Sequence, residues 1–149
     1  MLLYAFVFLV LVLDQASKYV VLALLERGES VPVVSGLFHI TLIHNTGAAF
    51  GMMKAHPRIF VVISILAVLF INYILIKKLS GLNPRERIAL CLLLGGTLGN
   101  LADRIRLGYV TDFLDFRVWP VFNLADSFIT AGAVLIAWSL LAGVRRSLA

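Results

Sequence analysis

Acidic residues are scarce in this chain: its 149 residues hold eight Asp and Glu against 13 Lys and Arg, and only 14% of positions are charged. That balance excludes a strongly solvated, disordered polypeptide. One cysteine, Cys91, excludes an internal disulfide, and its place in an apolar run marks it as a small core residue. Pro- or Ser-rich linkers and internal repeats are lacking, so residues 1–149 read as one domain. The net charge of +5 and pI near 9.8 do not indicate nucleic acid, because there is no basic stripe interleaved with aromatics. Most basic residues instead flank apolar runs, which points to lipid headgroups as partners. GGTLGN (95–100) has neither dinucleotide-loop nor P-loop spacing, and its glycines read as close helix packing through Gly95 and Gly99. His39 and His44 lie five apart with no HExxH pattern, so neither a metal nor another cofactor is expected.

What the chain does hold is hydrophobic residues, at 61%, with a mean hydropathy of +1.00. Soluble domains hold roughly 45–50% apolar residues. Four apolar segments, about 2–25, 58–76, 88–107 and 122–144, each approach the ~20 residues needed to cross a bilayer core. The expected fold is an all-α membrane bundle of four transmembrane helices, since helices satisfy their backbone polar groups internally. The first segment lacks a basic start and a small-residue cleavage site and is interrupted by Asp14 and Lys18, so it reads as a retained helix. Basic clusters at 77–87 and at Arg145-Arg146 adjoin helix ends and place both termini in the cytoplasm. The long outer loop, about 30–55, alternates over GLFHITLIH (36–44), with Phe38, Ile40 and Leu42 on one face and His39 and Thr41 on the other. A small extracytoplasmic β-sheet is expected there.

Glu26, Glu29 and Glu86 fall in loops, whereas all five aspartates lie within or beside apolar segments. An ionisable group at membrane depth is costly unless paired or hydrated, so each is a functional candidate. At 1.5 Å per residue, Asp14 lies about 18 Å and Lys18 about 24 Å from the inner end of the first helix. Asn100 and Asp103 reach about 18 and 22 Å along the third, and Asp126 lies about one turn inside the outer end of the fourth. Three helices thus bring polar groups to one level, which argues for a single site. Asp14 and Lys18, at i,i+4, also fit a local ion pair. Asp103 and Arg104 read as orienting groups, because a guanidinium beside a carboxylate keeps it ionised.

Two carboxylates close together in a partly dry pocket share a proton, which suits hydrolysis by an activated water. From spacing alone, any two of Asp112, Asp115 and Asp126 could form that pair; Asp112 with Asp126 requires the chain to fold back. The same aspartates could serve a small transporter or proton channel, although their shared depth does not build a ladder across the membrane. A non-enzymatic assembly subunit would leave the structured loop and the clustered aspartates without purpose.

Five stretches in order, DQASK (14–18), NTGAAFG (45–51), GGTLGNLADR (95–104), VTDFLDF (110–116) and FNLAD (122–126), give the chain a specific resemblance to the lipoprotein signal peptidases. These are aspartic endopeptidases of the bacterial inner membrane. The resemblance implies Asp112 and Asp126 as the catalytic pair, with Asp115 a non-catalytic neighbour. It further implies that Asn45, Asn100, Arg104 and Asn123 line the pocket or position substrate, that Asp14 and Lys18 support the site, and that the outer sheet forms a β-cradle. The connection RVWPV (117–121) is short for the family. The implied substrate is a prolipoprotein, cut before a diacylglyceryl-modified cysteine by a monomeric enzyme near the outer face of the membrane.

Overall fold

The computed structural model describes residues 2–47 and 57–147, so the NTGAAFG motif from residue 48 onward, and the outer loop to residue 55, lie outside the described residues. Four helices, α1 (Leu2–Leu24), α2 (Pro57–Lys77), α3 (Pro84–Leu107) and α4 (Leu124–Ser147), are long and apolar enough to cross a membrane. α3 begins four residues before the expected start. Asn83 caps it, accepting from the backbone of Arg85 and Glu86, while the Glu86 side chain accepts from the Asn83 backbone, with Pro84 in the first turn. This reciprocal capping box satisfies the otherwise orphaned first N–H groups. At the other end Gly108 takes the left-handed conformation, φ 79°, that stops the helix and turns the chain into a strand.

α3 is the central helix, packed against α1, α2 and α4. Its glycines make that contact close: a Cβ at Gly95 would lie 2.6 Å from Val10 Cγ1 on α1, and one at Gly96 would lie 2.6 Å from the Ala125 carbonyl on α4. Val7, Ile71, Leu75, Leu90, Cys91 and Leu94 form one apolar core, with Cys91 fully buried as the sequence predicts.

The three-stranded antiparallel sheet runs β1 (Ser30–Val34), β2 (Phe38–Asn45), β3 (Val110–Asp115). Two strands arise where the loop pattern places them, but the third comes from the VTDFLD stretch between α3 and α4, which reads in the sequence as a connection. The expected alternation along β2 is not seen: Phe38, His39 and Ile40 are all half-buried. Thr41 and Leu42 are both buried, because the register against β3 shifts between Ile40 and Ile43. Such a bulge lets two successive side chains face inward. Leu42 packs with Val21 of α1 and Phe113 of β3, fixing the sheet to the outer end of α1.

Candidate active site

β3 is regular, so Asp112 and Asp115, three residues apart, point to opposite faces. Asp115 is held on its own side: Thr41 Oγ1 donates to it at 2.7 Å, the Arg117 backbone N–H donates at 2.9 Å, and the Arg117 guanidinium lies at 3.4 Å. Burial acts to raise the Asp115 carboxyl, but these hydrogen bonds and the Arg117 charge outweigh it and hold the group below its ordinary value. Asp115 therefore belongs to a structural network that also includes His39, whose Nδ1 lies 2.7 Å from Arg117 Nη2.

The chain returns to Asp112 through a tight closure. Leu114 and Phe122 pair as an isolated antiparallel bridge, with Leu114 N–H donating to the Phe122 carbonyl at 2.7 Å. Asn123 follows at once, and its side-chain amide donates to Asp112 Oδ1 at 2.7 Å. It is also the N-cap of α4: its Oδ1 accepts from the Asp126 backbone at 2.9 Å, and the Asp126 carboxylate accepts from the Asn123 backbone at 3.3 Å. One asparagine thus ties Asp112 to Asp126.

Asn45 and Asn100 complete this shell. Asn45, at the end of β2, donates to Asp112 Oδ2 at 2.8 Å, and Asn100 of α3 donates to Asp126 Oδ1 at 2.8 Å. Asn100 Oδ1 in turn accepts from Asn123 at 3.1 Å and from Lys18 at 2.9 Å. The Asp112 carboxyl is pushed up to about 7, first by burial and then by the Asp126 charge, against the hydrogen bonds of Asn45 and Asn123.

Beneath lies a buried charge cluster. Lys18 Nζ contacts Asp14 at 2.9 Å, Asp103 at 3.2 Å and Asn100 at 2.9 Å, which uses all three of its N–H donors. The i,i+4 pair of Asp14 and Lys18 is therefore more than a local contact. Asp14 Oδ1 accepts from the Ala125 backbone at 2.9 Å, binding α1 to the first turn of α4. Asp103 Oδ2 accepts from the Thr111 backbone at 2.9 Å, binding α3 to β3. Gln15, which the sequence reading passed over, donates to Asp14, to the Gly99 carbonyl and to Asp103 at 3.0–3.2 Å. Its signal was a polar side chain at membrane depth beside Asp14.

Arg104 does not pair with its neighbour Asp103, because adjacent residues on a helix face apart. Its guanidinium lies 5.5 Å over the Phe60 ring and lines a cavity of about 230 Å³ with Asn45, Arg58 and Tyr109. His44 stacks on Tyr109 at 3.9 Å and sits below its ordinary value through burial and the Arg27 charge. Every site residue expected from the sequence thus falls in or beside one cluster.

Fold and site define a four-span membrane protein with its buried aspartates and Lys18 gathered at one end of the bundle. Residues 6–142 match the family described as Signal peptidase (SPase) II, and the chain belongs to that peptidase family. It is 47% identical to the lipoprotein signal peptidase of Moorella thermoacetica, across 89% of this chain and 88% of that protein. To the lipoprotein signal peptidase of Pelotomaculum thermopropionicum it is 46% identical, across 95% and 92%. Two bacterial membrane enzyme structures, obtained by the in meso method at 2.3 and 1.9 Å, superpose with TM-scores of 0.88 and 0.84, each at 33% identity. They cover 95% and 93% of this chain, and the alignments span 88% and 92% of their own chains. The protein is accordingly a multi-pass bacterial membrane protein of a peptidase family.

Proposed function

We propose that the protein removes signal peptides from prolipoproteins as an intramembrane aspartic endopeptidase, with Asp112 and Asp126 as the catalytic pair, cutting before a diacylglyceryl-modified cysteine. The observation that carries this reading is the double role of Asn123, hydrogen bonded to Asp112 and reciprocally to Asp126. The pair shares one proton near neutral pH, and in this mechanism Asp112 is its holder at the start. Asp126, in the first turn of α4, is the ionised member, where the helix N-terminus favours negative charge.

A water between the two carboxyl groups loses a proton to Asp126 as its oxygen attacks the scissile carbonyl carbon, and Asp112 donates its proton to the carbonyl oxygen. Collapse of the resulting gem-diol returns a hydroxyl proton to Asp112. The proton on Asp126 passes to the departing amine nitrogen as the C–N bond breaks. The asparagine amides hold the carboxyl groups in place, and the cluster around Lys18 fixes the elements that carry them. Both termini lie in the cytoplasm and the site near the extracytoplasmic face, a placement supported by the basic residues beside the opposite helix ends. Acyl chains of the substrate then remain in lipid while the peptide reaches the pair. The core nearer the other end, built on Val7, Ile71, Leu90 and Leu94, is apolar, which disfavours an ion relay through the bundle.

The test is cleavage of a lipid-modified precursor by the purified protein in liposomes. Mass spectrometry is expected to find a product beginning with the lipid-bearing cysteine, formed equally in excess chelator. A different cut site, or activity lost to chelator and restored by zinc, would overturn the reading.

A further inference from the structure

A second cavity, of about 480 Å³, runs as an apolar groove between α2 and α4 over a floor of α3, lined by Phe70, Ile74, Leu90, Leu93, Ile136 and Leu140. One charged side chain joins this lining, Glu86, at the end away from the carboxyl pair. Seven of the eight acidic residues, Asp14, Glu26, Glu29, Asp103, Asp112, Asp115 and Asp126, belong to the site end; Glu86 alone lies at the other. Its carboxylate accepts from Ser139 Oγ at 2.8 Å and from the Asn83 backbone at 2.9 Å, and it makes no ion pair among the described residues. Of the basic residues at this end, Lys77, Lys78 and Arg85 are exposed and outside the groove lining, and Arg87 turns away, donating to the carbonyls of Leu82 and Leu79.

We propose that this groove seats the apolar helix of the substrate's signal peptide, with the basic residues that precede that helix meeting Glu86. The inference rests on the reading of the protein as a signal peptidase. Signal peptides carry a basic start followed by an apolar run of about 7–15 residues, which as a helix spans about 10–22 Å. From Glu86 to Asn100, at the level of the carboxyl pair, α3 rises about 21 Å. A helix cut at the pair, with an apolar run near the long end of that range, brings its basic start down to Glu86. An acyl chain in the groove would instead set a methyl terminus against a carboxylate, a poor match.

Two lipid-modified precursors, one with a Lys-rich start and one with those lysines replaced by Ser, are compared in neutral phosphatidylcholine liposomes. Glu86→Gln keeps the capping box, since Gln serves there as well as Glu. For the Lys-rich precursor the variant is expected to raise KM about three- to fivefold, the scale of a partly exposed ion pair, with kcat unchanged. For the Ser precursor it should match the wild type. Independently, Ile136→Cys should form a disulfide with a cysteine about ten residues before the scissile bond, since Ile136 lies about 15 Å along α4 from Asp126. Equal effects of Glu86→Gln on both precursors, or no disulfide at that depth, would overturn the inference and leave the groove to membrane lipid. Failure of the wild type to cleave either precursor would instead overturn the underlying function, and the inference with it.

Discussion

Asn123 donates its side-chain amide to Asp112 across 2.7 Å while its own carbonyl oxygen caps the helix that carries Asp126. The contact that starts α4 is thus also the contact that brings the two carboxyl groups together. Asn123→Ala is expected to lower kcat at least tenfold, because both the cap and the Asp112 hydrogen bond are lost, and the cap alone is worth about 1 kcal/mol. Cleavage kinetics alongside thermal unfolding separate the two losses.

The pH dependence follows from Asp112, whose value near 7 is raised above the ordinary 3.8. The pair must hold one proton to act, so the rate is expected to fall as pH rises through about 7. For stability the sign is the same: a carboxyl raised in the folded state favours folding below its unfolded value, and that contribution is lost as pH rises toward the folded one. Asp112→Asn should flatten the decline in melting temperature between about pH 4 and 7.

Lys18 lies between two buried carboxylates. Lys18→Met leaves both without their cation, and a loss of about 3–5 kcal/mol in stability is expected, the usual cost of breaking a buried pair. Detergent-solubilised thermal unfolding measures it.

Close packing along α3 makes a further prediction. Gly96→Ala would drive a methyl group to 2.6 Å from a backbone carbonyl, whereas nothing lies within 4 Å of a Cβ at Gly81. The first change is expected to cost about 1–3 kcal/mol and the second close to none. Equal melting temperatures for the two variants would contradict the packing described.

Much of this was legible in the sequence because membrane depth converts position into energy. Asp14, Lys18, Asn100 and Asp103 could be placed at one level by helix rise alone, and the structure joins them by hydrogen bonds and ion pairs. Spacing could not select among Asp112, Asp115 and Asp126, since the choice depends on Val110–Asp115 being a strand that turns Asp112 and Asp115 to opposite faces. That strand is stabilised by pairing with β2, almost 70 residues earlier, a long-range contact without a local signature. The early start of α3 was legible in Asn83-Pro84-Arg85-Glu86, a capping-box sequence masked by its basic neighbours. Asp103 and Arg104 looked like partners only because they are adjacent; helix geometry sends Asp103 to Lys18.

The central claim is that Asp112 and Asp126 act as one catalytic pair. The direct measurement is the cleavage rate of a lipid-modified precursor by Asp112→Asn, Asp126→Asn and Asp115→Asn, each shown to be folded. The first two are expected to be inactive and the third to retain substantial activity, because Asp115 faces Thr41 and Arg117 on the opposite side of β3. Full activity in either of the first two variants would contradict the account.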